Sequence, residues 1–372
     1  MLSDFAALGL DSPRTPYPEP GTPNLEPMKV IAIDEFGGPD KLHETERPKP
    51  EPRPGDVLIR VRAGSFNPID YKIRQGRFGG DIPMVLGHDA AGVVEEVGKD
   101  VHRLRHGDEV WAYLGGPCSN GSYAEYVCLP HEFATVKPRN LSFEEAASVP
   151  VVGLTANQAI RQKARPTGNN SVFVAGGAGG LGSTAIQILE MIGIENVVTT
   201  SGRDASRDFL VKELRLSPHQ VIDYRGKDLK QLTEEALAAN DGRLFDKVLD
   251  FVGGDLKRLC FELVDFDGDI VSVVEENDPF SVPLWHWTAS PLFWRSGALH
   301  FLWLGARGLY GARETWGGYT QQLHELTYLY EAQRIWPVGV RNIGNLSAQT
   351  IRKGQEMLEA GGIQGKLVYS VP

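Results

Sequence analysis

Six residues, Gly177-Ala178-Gly179-Gly180-Leu181-Gly182, constrain this chain more than any others. They spell G-x-G-x-x-G, a string that means little alone, because glycine-rich loops are common. Here it directly follows an apolar run at 172–175 that reads as a short buried strand, and it opens a helical pattern from about 180 to 191. In that context Gly177, Gly179, Gly180 and Gly182, with Leu181, let the chain turn tightly and bring backbone N–H groups close to a pyrophosphate. The helix N-terminus adds unpaired donors and a favourable dipole. A merely structural turn is the alternative. Beyond the loop, strands expected at 196–200, 221–223, 247–250 and 270–274 alternate with helical patterns, one of them at 208–216. Such alternation predicts βαβ units and a doubly wound parallel sheet of the α/β class.

The end of the second strand decides which dinucleotide fits. An acidic residue there would accept hydrogen bonds from the ribose hydroxyls of NAD. This chain instead has Thr199-Thr200-Ser201-Gly202-Arg203, a hydroxyl and a guanidinium where a 2′-phosphate would sit. The planar fork of arginine donors suits phosphate, so NADP(H) is favoured over NAD. Asp204 and the Arg207-Asp208 pair blur the signal, since an exposed charged turn reads similarly.

Before about residue 150 the texture differs. Strands are expected at 29–33, 57–61, 91–98 and 108–112, punctuated by Gly and Pro, which predicts an all-β or barrel-like unit. Residues 1–27 are rich in Pro, Ser, Thr and Gly and read as a flexible extension. A formal net charge of −10 disfavours nucleic acid, which calls for a basic stripe. The most apolar stretch, 297–309, is broken by His300 and Arg307 and is too short to span a membrane, which takes roughly 20 residues. The N-terminus lacks a basic segment followed by an apolar run and contains Asp4, Asp11, Glu19 and Glu26, so neither a secretory signal nor a transit peptide is expected. Cys118, Cys128 and Cys260 form no disulfide pattern, and a reducing cytoplasm is the natural setting.

Read in order, several segments resemble the medium-chain dehydrogenase/reductase superfamily, in its zinc-independent quinone oxidoreductase-like branch. They are Asn67-Pro68-Ile69-Asp70-Tyr71-Lys72, Leu86-Gly87-His88-Asp89-Ala90-Ala91-Gly92, Gly107-Asp108-Glu109-Val110, Gly121-Ser122-Tyr123-Ala124-Glu125-Tyr126 and Gly153-Leu154-Thr155-Ala156. The glycine loop, Val221-Ile222-Asp223-Tyr224, Asp250-Phe251-Val252-Gly253-Gly254 and Gly365-Lys366-Leu367-Val368 complete the set. The resemblance covers roughly 28–372. It implies a GroES-like β-rich catalytic domain at 28–151 and 310–372, a Rossmann NADP-binding domain at 152–309, and an active site in a cleft between them. By motif match, Ser201 and Tyr224 would help hold the adenosine phosphate, Thr155 would line the nicotinamide side, and Val252 and Gly253 would belong to the cofactor site.

The metal-dependent alcohol dehydrogenases of this superfamily hold catalytic zinc through a cysteine, a histidine and a further cysteine-type ligand. Aligned on the flanking motifs, those positions are Asn67, His88 and Val151. One imidazole cannot hold a zinc ion that needs three protein ligands, so no metal is expected. Without a Lewis acid, an activated acceptor needs the least help, and protein donors would stabilise the developing enolate oxygen. The candidates are Asn67, Tyr71 and Lys72, although neighbours on an extended strand point in opposite directions and cannot both face one site. His88 either hydrogen-bonds substrate or a carboxylate such as Asp89, or is a packed remnant.

The stretch 277–316 is aromatic: Phe280, Trp285, Trp287, Phe293, Trp294, Phe301, Trp303, Tyr310 and Trp316. Core packing with a dimer contact and a lid over a hydrophobic acceptor pocket are both open, and the resemblance implies an edge strand near 300–304 and a homodimer. Three functions are consistent with the residues. The first is NADPH-dependent reduction of a quinone or α,β-unsaturated carbonyl, a small hydrophobic acceptor. The second is an enoyl reductase of a biosynthetic pathway, and the third a non-catalytic NADPH-binding protein.

Overall fold

The computed structural model describes residues 26–276, 284 and 286–372. The expected extension therefore lies almost wholly outside the described residues, as do Phe280 and Trp285. The chain forms two compact units. One runs up to Leu154 and takes in Leu304–Gly361 and Lys366–Pro372; the other comprises Thr155–Trp303 and Gly362–Gly365. The crossings fall at 154/155, inside the continuous helix Pro150–Asn157, and at 303/304, where 151/152 and 309/310 were expected.

The first unit begins with β1 (Pro27–Ile33), β2 (His43–Pro48), β3 (Asp56–Ser65), β4 (Met84–Val85), β5 (Asp89–Val97), β6 (Glu109–Tyr113), β7 (Tyr126–Pro130) and β8 (Ala134–Val136). A short sheet has the order β2-β1-β4. The larger one pairs β3 with both β5 and β7 and continues through β6 to β8. Side chains alternate across a strand, and β-branched residues such as Val57, Ile59 and Val61 line its buried positions. The segment at 67–74, where an extended strand was one expectation, is a helix, α1 (Pro68–Arg74). Pro68 pre-sets the first helical position, and the Asp70 carboxylate accepts the Asn67 N–H at 2.9 Å. Two further helices, α2 (Phe143–Ala147) and α3 (Pro150–Asn157), lead out of this unit.

The second unit holds β9 (Val172–Ala175), β10 (Val197–Ser201), β11 (Val221–Asp223), β12 (Phe245–Asp250), β13 (Val264–Ser272) and β14 (Ala298–Phe301). Every pairing in its sheet is parallel and the order is β11-β10-β9-β12-β13-β14. Counted within the unit, that is the doubly wound order, with its switch point between β9 and β12. Four helices, α4 (Gly180–Met191), α5 (Asp204–Lys212), α6 (Leu229–Ala239) and α7 (Gly254–Leu263), connect the strands. Phe173, Val198, Phe245, Val248, Leu259 and Ile270 form part of its core, each fully buried side chain of this kind adding about 1.5–3 kcal/mol.

Two expectations need correction here. The helix expected at 208–216 is α5, four residues earlier, because Arg215 sits at φ 56, outside the right-handed helical region, and Glu213 already caps the helix. The strand expected at 270–274 is the longer and earlier β13. The part up to Asp269 carries Asp265, Asp267 and Asp269 and a bulge opposite β12, which hides it from an apolar pattern. The chain then closes the first unit with β15 (Val340–Asn345) and β16 (Lys366–Ser370), β16 lying antiparallel to β3.

Candidate functional site

The glycine loop joins β9 to α4, and Gly179 is the helix N-cap. The first N–H groups of a helix have no carbonyl one turn back, so those of Gly180, Leu181 and Gly182 lack an intrahelical acceptor. Two threonines hold the base of the loop: Thr200 Oγ1 accepts from Gly176 N–H at 3.1 Å and Thr199 Oγ1 from Gly177 N–H at 3.0 Å. A Cβ on Gly182 would run into the backbone of Gly176 and Gly177, so only glycine lets the helix start this close to the strand. Val252 lies over Gly176, which brings the two motifs together. The fully buried Asp250 shapes that second turn, accepting from Val252 N–H at 3.2 Å, Gly253 N–H at 2.8 Å and Ser272 Oγ at 2.7 Å. Gly253 takes φ 84 and caps α7. Thr155, also buried, sits in α3.

At the far ends of β10 and β11, the Tyr224 ring lies across Gly202. The Ser201 hydroxyl donates to the Arg203 carbonyl at 2.9 Å. The acidic side chains that blurred the sequence signal are engaged. Arg225 bridges Asp204 at 2.5 Å and Asp223 at 2.7 Å, and its hydrogen bonds hold the Asp223 carboxyl down at about 2. Asp208 pairs with Lys212, while Arg207 donates to the carbonyls of Val221 and Pro218. The exposed Arg203 is packed against Gly362 so closely that a Cβ there would overlap the guanidinium. Gly362 has φ 76 and belongs to a short strap, Gly362–Gly365, whose Gln364 donates to Ser206 at 3.0 Å and whose Gly365 N–H donates to Ala178 O at 2.9 Å. Neither Asp250 nor the strap was singled out for this site from the sequence. The strap lies well over a hundred residues from the loop it touches.

The catalytic candidates fall in the first unit. Asn67 is buried, and its side chain is engaged on both sides: Oδ1 accepts from Lys366 Nζ at 2.6 Å, while Nδ2 donates to Asp89 Oδ2 at 2.7 Å. Lys366 also donates to Phe66 O at 3.0 Å and lies 3.5 Å from Asp89. Asp89 takes Ser65 Oγ at 2.6 Å and the Val151 N–H at 2.7 Å. His88 does not use Asp89, its suggested partner. Adjacent side chains diverge where β5 begins, and His88 Nδ1 instead meets Asp70 Oδ1 at 2.6 Å. Asp70 thus ties His88 to the Asn67 backbone. Tyr71 and Lys72 follow on α1, both partly buried; consecutive helical residues point about 100° apart. Lys366 and Asp70 are the members that the sequence reading did not single out. At Asn67-Pro68-Ile69-Asp70 a capping signature was present, whereas Lys366 comes from 299 residues away.

At the three positions aligned with zinc ligands, Val151 offers no ligating atom and Asn67 a committed amide. Among the described residues, no group of three or more His, Cys, Asp and Glu side chains is arranged to hold a metal ion. Cys118 points its thiol toward Leu114 O, and burial pushes it up to about 12. Of the aromatic stretch, Trp287, Phe293, Trp294, Phe301 and Trp303 are exposed rather than core, and Trp316 packs on Phe133.

The chain matches the alcohol dehydrogenase GroES-like domain over residues 53–139 and the zinc-binding dehydrogenase domain over residues 180–286. It is 36% identical over 254 residues to 2-methylene-furan-3-one reductase of Solanum lycopersicum, covering 66% of this chain and 61% of that one. It is 35% identical over 236 residues to the chloroplastic NADPH-dependent alkenal/one oxidoreductase of Arabidopsis thaliana, 61% of this chain and 58% of the relative. The chain thus spans about three fifths of the length of these curated relatives. The solved quinone oxidoreductase of Coxiella burnetii superposes with a TM-score of 0.74 at 32% identity, over 93% of this chain and all of that one.

Proposed function

The chain belongs to the medium-chain dehydrogenase/reductase superfamily, in its quinone oxidoreductase-like branch, and on that premise we propose that it is an NADPH-dependent reductase of quinones or α,β-unsaturated carbonyls. The observation that carries the reading is the turn after β10, which presents the exposed Arg203 guanidinium together with Asp204, Asp208 and Asp223, carboxylates that are each tied to a cation. A 2′-phosphate meets a guanidinium there, and the unpaired N–H groups of α4 suit a pyrophosphate. Ser201, Tyr224, Thr155, Val252 and Gly253 complete the residues that would hold the dinucleotide. When bound, it supplies the hydride. Asn67, Tyr71 and Lys72 are the groups this reading assigns to the oxygen that gains charge in the acceptor, with His88 a further catalytic candidate, and preorganised donors act most strongly where water is excluded.

Metal-free chemistry is supported by the residues at the aligned ligand positions: an amide held by Lys366 and Asp89, an imidazole held by Asp70, and a valine. Activated acceptors suit such a site because hydride addition to them needs no Lewis acid. A homodimer through the edge of β14 is supported by Phe301, which is 70% exposed there. A cytoplasmic setting accords with the sparse free cysteines and with the described residues, in which no helix is long and apolar enough to cross a membrane.

NADPH consumption by chelator-treated protein, with an ortho-quinone and a short enone as parallel acceptors, tests the reading. Turnover on either supports it, and the faster acceptor sets the substrate class. Silence on both, with NADPH binding measured in the same sample, overturns it.

A further inference from the structure

His88 stands out because its ring is held and reachable at once. Asp70 is fully buried, fixed by the Asn67 N–H on one oxygen and joined to His88 Nδ1 at 2.6 Å on the other. The His88 backbone is pinned as well, its carbonyl accepting the Leu114 N–H at 2.8 Å. The side chain keeps 17% of its surface exposed, whereas Asp70 keeps none. With Nδ1 taken by a carboxylate, Nε2 is the nitrogen left to meet a ligand.

We propose that the His88–Asp70 pair is the proton donor of the reaction, delivering the imidazolium proton to the α-carbon of a reduced α,β-unsaturated carbonyl. This rests on the reductase reading above. A reduced nicotinamide gives its hydride, with both electrons, to the β-carbon of the acceptor, and the alkene π pair moves to form the enolate. The Nε2–H bond of His88 then breaks and the electron pair stays on nitrogen. The proton forms the new C–H bond at the α-carbon as the enolate collapses to the carbonyl, and water reprotonates the ring. A quinone differs: its reduced form is an oxygen anion that solvent protonates directly, so His88 matters far less to it.

The test compares the full-length protein with His88→Gln and Asp70→Asn, using NADPH in heavy water with an ortho-quinone and an α-methyl cyclic enone. Both variants are expected to lose enone turnover by about 100-fold, the scale of positioned general-acid catalysis, and to lose far less with the quinone. The wild type places deuterium on one face of the α-carbon; His88→Gln places it on both. NADPH binding by each variant, read from reduced-nicotinamide fluorescence, reports that it is folded. Equal losses on both acceptors, no loss on the enone, or retained facial selectivity in His88→Gln overturns the proton-donor role alone. A wild type inert toward both acceptors overturns the reductase reading and this role with it.

Discussion

Lys366 carries an ammonium into the interior of the first unit, where burial pushes it below the ordinary lysine value against the pull of Asp89 and Asp70. Its hydrogen bonds to Asn67 Oδ1 and Phe66 O fix the amide whose other end holds Asp89. Replacing it with methionine keeps the stem and removes the donors, leaving buried Phe66 O and Asn67 Oδ1 without their partner; each such loss costs about 1–3 kcal/mol. The pH dependence has a definite sign. A base whose folded pKa lies below its unfolded one releases a proton on folding, so its contribution to stability grows as pH rises from the folded value toward 10.5, and is constant below that window. Denaturation of wild type and Lys366→Met across neutral to alkaline pH should therefore show a stability gap that widens with pH. A gap that narrows would mean that the ammonium is favoured by the fold rather than penalised.

Secondary-structure elements transmit these residue choices unevenly. The start of α4 depends on one missing side chain: a Cβ on Gly182 meets backbone atoms of Gly176 and Gly177, which cannot rotate away. Gly182→Ala is expected to cost about 1–3 kcal/mol of stability by overpacking and to abolish NADPH binding, measured by quenching of the reduced nicotinamide fluorescence. Unchanged binding would show that α4 shifts without cost. The same element was readable in advance, because apolar period, glycine spacing and helix start coincide within twenty consecutive residues at 172–191. Helix α1 was also encoded locally, by Asn67, Pro68 and Asp70, yet the apolar pattern around it is too weak to announce a helix of seven residues. Strand β13 hid behind three aspartates. The union of Lys366 with Asn67, and of the strap at Gly362–Gly365 with the glycine loop, had no local signal, since register across a sheet and the return path of a chain are set by long-range packing.

At the scale of the whole molecule, the two units need not melt together, and a single melting temperature is then a composite. A dinucleotide that binds only the folded form of the second unit stabilises that unit by mass action, about 2.7 kcal/mol at a concentration 100 times the dissociation constant. For a unit of this size that corresponds to a shift of roughly 5–10 °C. Calorimetry or a thermal-shift assay on the full chain should show this rise with NADPH in one transition. NADH, lacking the 2′-phosphate, should raise it less at equal concentration. Arg203→Ala should bring the two cofactors level, because a charge-assisted hydrogen bond of about 1.5–3 kcal/mol is what separates them. Gly362→Val should act in the same direction by displacing the guanidinium that Gly362 accommodates. A chelator should leave both transitions where they are. Equal shifts for NADPH and NADH in the wild type would remove Arg203 from the phosphate site and take the NADP preference with it, while a transition lowered by chelator would show that a bound metal stabilises the fold.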